Sequence, residues 1–318
     1  MSIWRVKPVA AFEADMKKND LKRVLTKWGL TSLGIGAIIG GGIFTLTGIA
    51  AHDYAGPALA LSFVIAGIGC LFASLCYAEF ASVLPVEGSA YAYAYGTVGE
   101  LFAWFIGWNL ILEYMMGATT VAVAWSGYFV KLLHLFGIDF PIWLCNDLTT
   151  ATEKYAELGQ GAPSFAFNLP AFLITWVVTY ILVKGIKEAA KTNNIIVIIK
   201  VAVVLFVIIA GAFYIDTANW QPFIPTEKTV IIDGVEKVSF GFGGVLTAAT
   251  IVFFAYIGFD AVSTQAGEAI NPKKDVPFAI VASLIICTVL YNLVSLVLTG
   301  MVPYYQLEKS TPVASAII

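Results

Sequence analysis

Apolar residues in this chain run in blocks about twenty long or longer, and few folds can absorb such blocks. A helix rises about 1.5 Å per residue, so roughly twenty apolar residues match the hydrocarbon core of a bilayer, about 30 Å thick. Inside lipid a helix satisfies its own backbone hydrogen bonds, and an isolated strand does not. The blocks show no period-two alternation, which argues against a barrel. Only 12% of the 318 residues are charged and 59% are hydrophobic, where a soluble domain carries about 25% charged residues. The mean hydropathy is +0.84. The fold class expected is therefore all-α and integral to a membrane.

Seven spans are predicted, at about Leu30–Ala51, Pro57–Leu84, Val98–Leu133, Leu169–Val183, Asn194–Tyr214, Phe242–Thr264 and Val276–Val302. A turn-rich stretch, Pro85–Ser89, separates the second and third, and residues 134–168 read as a polar loop. The expected organisation is a polar tail over residues 1–29, a transmembrane domain over 30–302, and a loop beginning at 303. The tail holds seven Lys or Arg and has no signal-peptide pattern. With the N-terminus cytoplasmic, twelve basic residues face the cytoplasm and five the opposite side, and this asymmetry predicts that orientation in the cell membrane. Seven spans then leave residue 318 outside, within a loop, so the chain is expected to be part of a longer one. Cys70, Cys76 and Cys287 fall in apolar spans and Cys145 in a loop, with no metal-ligand spacing, and all four read as packing residues.

The first span contains Gly34, Gly36, Gly40, Gly41 and Gly42. Each glycine weakens a helix by about 1 kcal/mol relative to alanine. Scattered glycines permit close helix packing, but packing asks for small residues on one face, four apart. Three in a row at mid-span instead predict an unwound segment whose free N–H groups suit a carboxylate. The sixth span carries a weaker candidate, Gly258 beside Asp260. If a five-helix unit repeats, the sixth span corresponds to the first, and paired interruptions of this kind mark a mid-membrane binding site.

Three ionisable residues lie deep in apolar surroundings: Glu113, Lys200 and Asp260. Each costs at least about 2.5–3.5 kcal/mol at the bilayer centre, so each needs a partner or a wet cavity. Glu113 serves either a helix–helix hydrogen bond or a functional site. Lys200 either snorkels to the cytoplasmic surface or ends near the break in the first span, where it could exchange a proton. Asp260 is its natural counter-charge. Glu79 and Glu268 read as loop anchors or gate contacts, and His52 and His134 as interfacial residues.

The run Gly36–Phe44 resembles the first-span signature of the amino acid–polyamine–organocation superfamily. Cys76–Phe80, Pro85–Tyr91, Phe254–Asp260 and Asn271–Pro277 are similar to motifs of the bacterial branch of its cationic amino acid transporter family. The resemblance implies a five-plus-five inverted repeat with discontinuous first and sixth helices, of which this chain holds the first repeat and two helices of the second. It also implies a substrate carboxylate on the amides of Gly40, Gly41 and Gly42. The α-amino group would meet carbonyls of Ile38, Phe254, Ala255 and Ile257, with Phe254 as an outer gate. Lys200 matches the lysine of proton-dependent relatives, and Glu113 and Asp260 match acidic positions of the family. Many relatives carry Thr or Ser where Gly41 stands, so one hydroxyl contact is missing.

The function expected is secondary active transport of an amino acid, by proton symport or by exchange on the same scaffold. A proton gradient would serve in place of any cofactor. The partners expected are the amino acid and the lipid bilayer, with no nucleic acid; oligomeric state and the particular amino acid are left open. A seven-helix receptor has the opposite orientation, a channel needs a filter or charged ring, and an enzyme needs a nucleophile or metal set that the sequence lacks.

Overall fold

A computed structural model describes residues 4–18, 23–184, 186–232 and 235–317. The helices are α1 (Val9–Lys18), α2 (Lys27–Ile38), α3 (Leu59–Val83), α4 (Ser89–Thr97) and α5 (Glu100–Leu135). They continue with α6 (Leu148–Glu157), α7 (Leu169–Lys184), α8 (Ile186–Gly211), α9 (Gly241–Val252) and α10 (Pro272–Met301), with shorter helical turns between. An antiparallel hairpin, β1 (Lys228–Ile232) and β2 (Val235–Ser239), lies between α8 and α9.

Five helical stretches among the described residues are long and apolar enough to cross a membrane: Gly42–Val83, Glu100–Leu135, Ile195–Tyr214, Gly241–Glu268 and Pro272–Met301. Leu169–Val183 is apolar but shorter. The 42-residue stretch Gly42–Val83 is not one straight rod. Gly42 lies against Ala255 and the Tyr54 carbonyl accepts from Phe240 N, so residues 42–54 run opposite to 240–255. Beyond Gly56, Ser62 bonds the Val245 carbonyl and Tyr77 meets Phe259 edge to face, so α3 runs parallel to α9. The chain reverses at Gly56, whose φ of +58° favours glycine.

The core lies where α10 packs along α2 and α3, with α9 also packed on α3. Ile38, Ile43, Phe63, Val252, Tyr256, Leu284, Tyr291 and Leu298 form one buried cluster. By contrast α5 is largely exposed, as an apolar helix facing lipid or further protein would be.

The structure adds elements that the sequence reading did not resolve. The loop over 134–168 contains α6, started by Asp147, whose carboxylate accepts from the amides of Thr149 and Thr150. The turn after Pro85 leads into helix α4, and the third span is a helix from Glu100 to Leu135. The N-terminal tail is docked: Phe12 packs with Leu84, Val86, Ala92 and Tyr93, and Lys7 N donates to the Tyr95 carbonyl. Helix α6 thus starts on a local cap, whereas α1 and α4 are held by contacts with each other.

Candidate functional site

Helix α2 stops at Ile38, since Ile39 leaves the helical region (φ −70°, ψ 93°). The chain resumes as a π-helical turn at Gly42–Leu46. Regular α-helix likewise ends at Val252 and gives way to a 3-10 turn, Phe253–Tyr256. Ile257 is extended (ψ 135°), Gly258 has φ +114°, and 3-10 geometry runs from Asp260 to Glu268. These two irregular stretches pack on each other. A Cβ on Gly42 would stand 2.5 Å from Ala255 Cα, and one on Gly258 would stand 2.7 Å from the Ala37 carbonyl oxygen. Glycine is required at both places by close approach of backbone, and at Gly258 by φ as well.

A helix end leaves its last four carbonyls without intrahelical partners. At α2 named donors meet three of those around the end. Lys200 Nζ donates to the carbonyls of Gly36 and Ile39, the latter at 2.8 Å. Tyr291 OH stands 2.9 Å from the Ile38 carbonyl. The lysine is delivered there because Val197, one turn earlier on α8, packs directly on Gly36. A cation at a helix C-terminus is also favoured by the helix dipole. Of the two readings of Lys200, this contact is that of a residue reaching the first break.

Tyr291, from α10, is fully buried between the rings of Phe63 and Tyr256. Its hydroxyl also lies 3.0 Å from the Ala255 carbonyl, so one phenol touches both irregular segments. Sequence reasoning missed this residue. The available signal was a phenol in mid-span, since a buried tyrosine hydroxyl needs a partner.

Asp260 is not the counter-charge of Lys200. Its carboxylate, 5% exposed, accepts from Tyr114 OH at 3.0 Å and Ser89 Oγ at 3.3 Å. The lysine is held instead by carbonyls, because α8 reaches the first break and not the second. Ser89 adopts φ +51°, and its hydroxyl ties the start of α4 to Asp260. A cavity of about 140 Å³ is lined by Asp260, Glu113, Tyr77, Phe253, Tyr256 and Ile257, among others. It brings the two membrane-embedded carboxylates to one space walled by aromatic rings.

The remaining predicted residues divide between two places. Gly41 lines a larger cavity, about 800 Å³, with Thr45, Thr120, Lys131, Asn168 and Glu308. Gly40 has open surroundings: a Cβ there would stand 3.6 Å from Val121 Cγ2, an ordinary contact. Ile38 and Ala255 are buried, and their carbonyls already face Tyr291. Phe254 is 64% exposed and lines neither cavity, whereas its neighbour Phe253 lines the smaller one. The Glu268 carbonyl accepts from Val24 and Leu25 N, which anchors the chain before α2. His52 lies 2.7 Å from Asp53 and His134 lies 2.6 Å from Asp139.

Polar backbone gathered at irregular helical segments is a feature of many membrane transporter folds. Residues 25–317 match the family model described as amino acid permease, and the chain belongs to that family. It is 45% identical over 316 residues to the methylthioribose transporter of Bacillus subtilis, covering 99% of this chain and 63% of that protein. It is 48% identical over 307 residues to the branched-chain amino acid permease of the same organism, covering 96% and 61%. A cationic amino acid transporter of Arabidopsis thaliana, number 9, is 40% identical over 302 residues, covering 94% and 49%. The chain thus spans about three-fifths of the length of the two bacterial relatives. These relatives are named as transporters and permeases.

Proposed function

We propose that this chain forms the substrate-binding part of a secondary amino-acid transporter of the cytoplasmic membrane, coupled to protons by symport. The observation that carries the reading is the meeting of two irregular helical segments, Ile39–Gly42 and Phe253–Gly258, with their backbone polar atoms brought together. In this reading they are the discontinuous first and sixth helices of a five-plus-five inverted repeat, and the chain crosses the membrane seven times from a cytoplasmic N-terminus.

The substrate carboxylate is held by amides of Gly40, Gly41 and Gly42, at the start of the second half-helix where the dipole favours an anion. The α-amino group is read by carbonyls of Ile38, Phe254, Ala255 and Ile257, and Phe254 closes over it. Lys200 takes up and releases the coupling proton: protonated, it holds the carbonyls of Gly36 and Ile39 by charge-assisted hydrogen bonds, and deprotonation weakens that hold on the first break. Glu113 and Asp260 take part from the small aromatic cavity.

The test is uptake by the protein in proteoliposomes. A pH gradient should drive leucine or arginine into empty vesicles, and uptake that needs internal amino acid would replace symport by exchange. Lys200→Met should abolish the pH dependence of uptake; a persisting dependence would show that the proton is carried elsewhere.

A further inference from the structure

We propose that Tyr291 is the positioning residue that holds the two irregular segments in register, through one hydroxyl shared between the carbonyls of Ile38 and Ala255. The inference rests on the reading of those carbonyls as recognising an α-amino group, and it assigns the register to a residue outside the irregular segments themselves.

The geometry leads there in three steps. The hydroxyl lies 2.9 Å from one carbonyl oxygen and 3.0 Å from the other, so neither is preferred by distance. A phenol carries one donor proton, which it can give to one carbonyl at a time or share between both. Each carbonyl oxygen has two lone pairs, so each keeps acceptor capacity for another donor while the phenol fixes its direction. Two acceptors held at the meeting of two irregular segments suit a primary ammonium, which brings three donors of its own.

The phenol itself cannot drift. Tyr291 is 0% exposed, with its ring 5.6 Å from that of Phe63 and 5.3 Å from that of Tyr256. Both segments are also pinned where they meet, by Gly42 on Ala255 and by Gly258 on Ala37. Movement of either segment past the other must therefore break one of the two tyrosine contacts. Helix α10 serves as the fixed post against which both are gauged.

Tyr291→Phe keeps the ring and removes the hydroxyl. Ser62→Ala is the comparison variant: it removes a buried interhelical bond, from Ser62 Oγ to the Val245 carbonyl, away from both irregular segments. Amide hydrogen exchange on the purified chain reads the register without any ligand. The expected result is exchange at least tenfold faster in peptides covering 38–42 and 255–259 for Tyr291→Phe, and no such local change for Ser62→Ala. Equal exchange in wild type and Tyr291→Phe would overturn the proposal, as would the same acceleration in Ser62→Ala.

A second readout addresses recognition. With L-leucine and L-arginine as probes, Tyr291→Phe should weaken binding of each bound probe by about tenfold, by the same factor whichever side chain is present. Unchanged affinity, or a loss confined to one side chain, would overturn the assignment to the α-amino group. If wild-type chain binds neither probe, the amino-acid reading of the site fails, while the exchange measurement still decides whether Tyr291 sets the register.

Discussion

At the scale of single residues, the glycines of the first span have separate jobs. Gly42 is a packing glycine, because any side chain there meets the Ala255 backbone. Gly42→Val should therefore part the two irregular segments and lower thermal stability as well as binding, so it cannot isolate the carboxylate site. Gly40 separates the two effects, since its nearest neighbour lies at ordinary contact distance. Gly40→Ala should leave the melting temperature in detergent within a degree or two and weaken amino-acid binding; unaltered binding would remove Gly40 from the site. Gly258→Ala combines a left-handed φ with a backbone clash, and is expected to cost at least about 2 kcal/mol. A thermal melt indistinguishable from wild type would contradict that. Lys200 was legible in the sequence because a cation in apolar surroundings is conspicuous. Tyr291 was not, because a tyrosine in an apolar block also reads as ordinary packing.

Among the elements, long apolar helices were readable because their lengths follow from the bilayer. Short ones were not. Helix α6 is a polar ten-residue segment whose start depends on the Asp147 cap. Hydrogen bonds from the Thr150 hydroxyl and from backbone amides lower the Asp147 carboxyl below its usual range, against the opposing effect of desolvation. Asp147→Ala should cost the helix about 1 kcal/mol, seen as faster amide exchange over residues 148–157. Exchange equal to wild type would mean that packing alone starts α6. Helix α4 and the docked α1 escaped prediction for a different reason: contacts between segments far apart in sequence hold them.

Across the whole molecule, a clasp joins the far end of α5 to the segment after α10. Lys131 pairs with Glu308 and also bonds the Thr311 hydroxyl. Desolvation raises the Glu308 carboxyl, but hydrogen bonds from Lys131 and Ser310 outweigh it and the net shift is downward from 4.5. A depressed carboxylate contributes stability that is present above its unfolded value and lost as pH falls through the folded one. The clasp should therefore hold at pH 7 and open below the usual glutamate range. Amide exchange over residues 303–311, divided by the intrinsic rate at each pH, should show an excess that grows as pH falls from 7 to about 3.5. In Glu308→Gln that excess should vanish; its survival would place the titrating group elsewhere. The pair is part-exposed, so its effect belongs to local order rather than to global stability.

What the sequence alone determined was which segments are long and apolar enough to cross a membrane. Block length, basic asymmetry and a run of glycines are local properties, and they act before any long-range contact forms. Which donor meets which carbonyl was decided only by tertiary structure. Lys200 and Gly36 are 164 residues apart, Tyr291 and Ile38 are 253 apart, and Tyr114 and Asp260 are 146 apart. A hydrogen bond is decided within a few tenths of an ångström, and only packing such as Val197 on Gly36 sets separations that finely. Charge pattern suggested pairing Lys200 with Asp260; helix packing gave each a different set of partners.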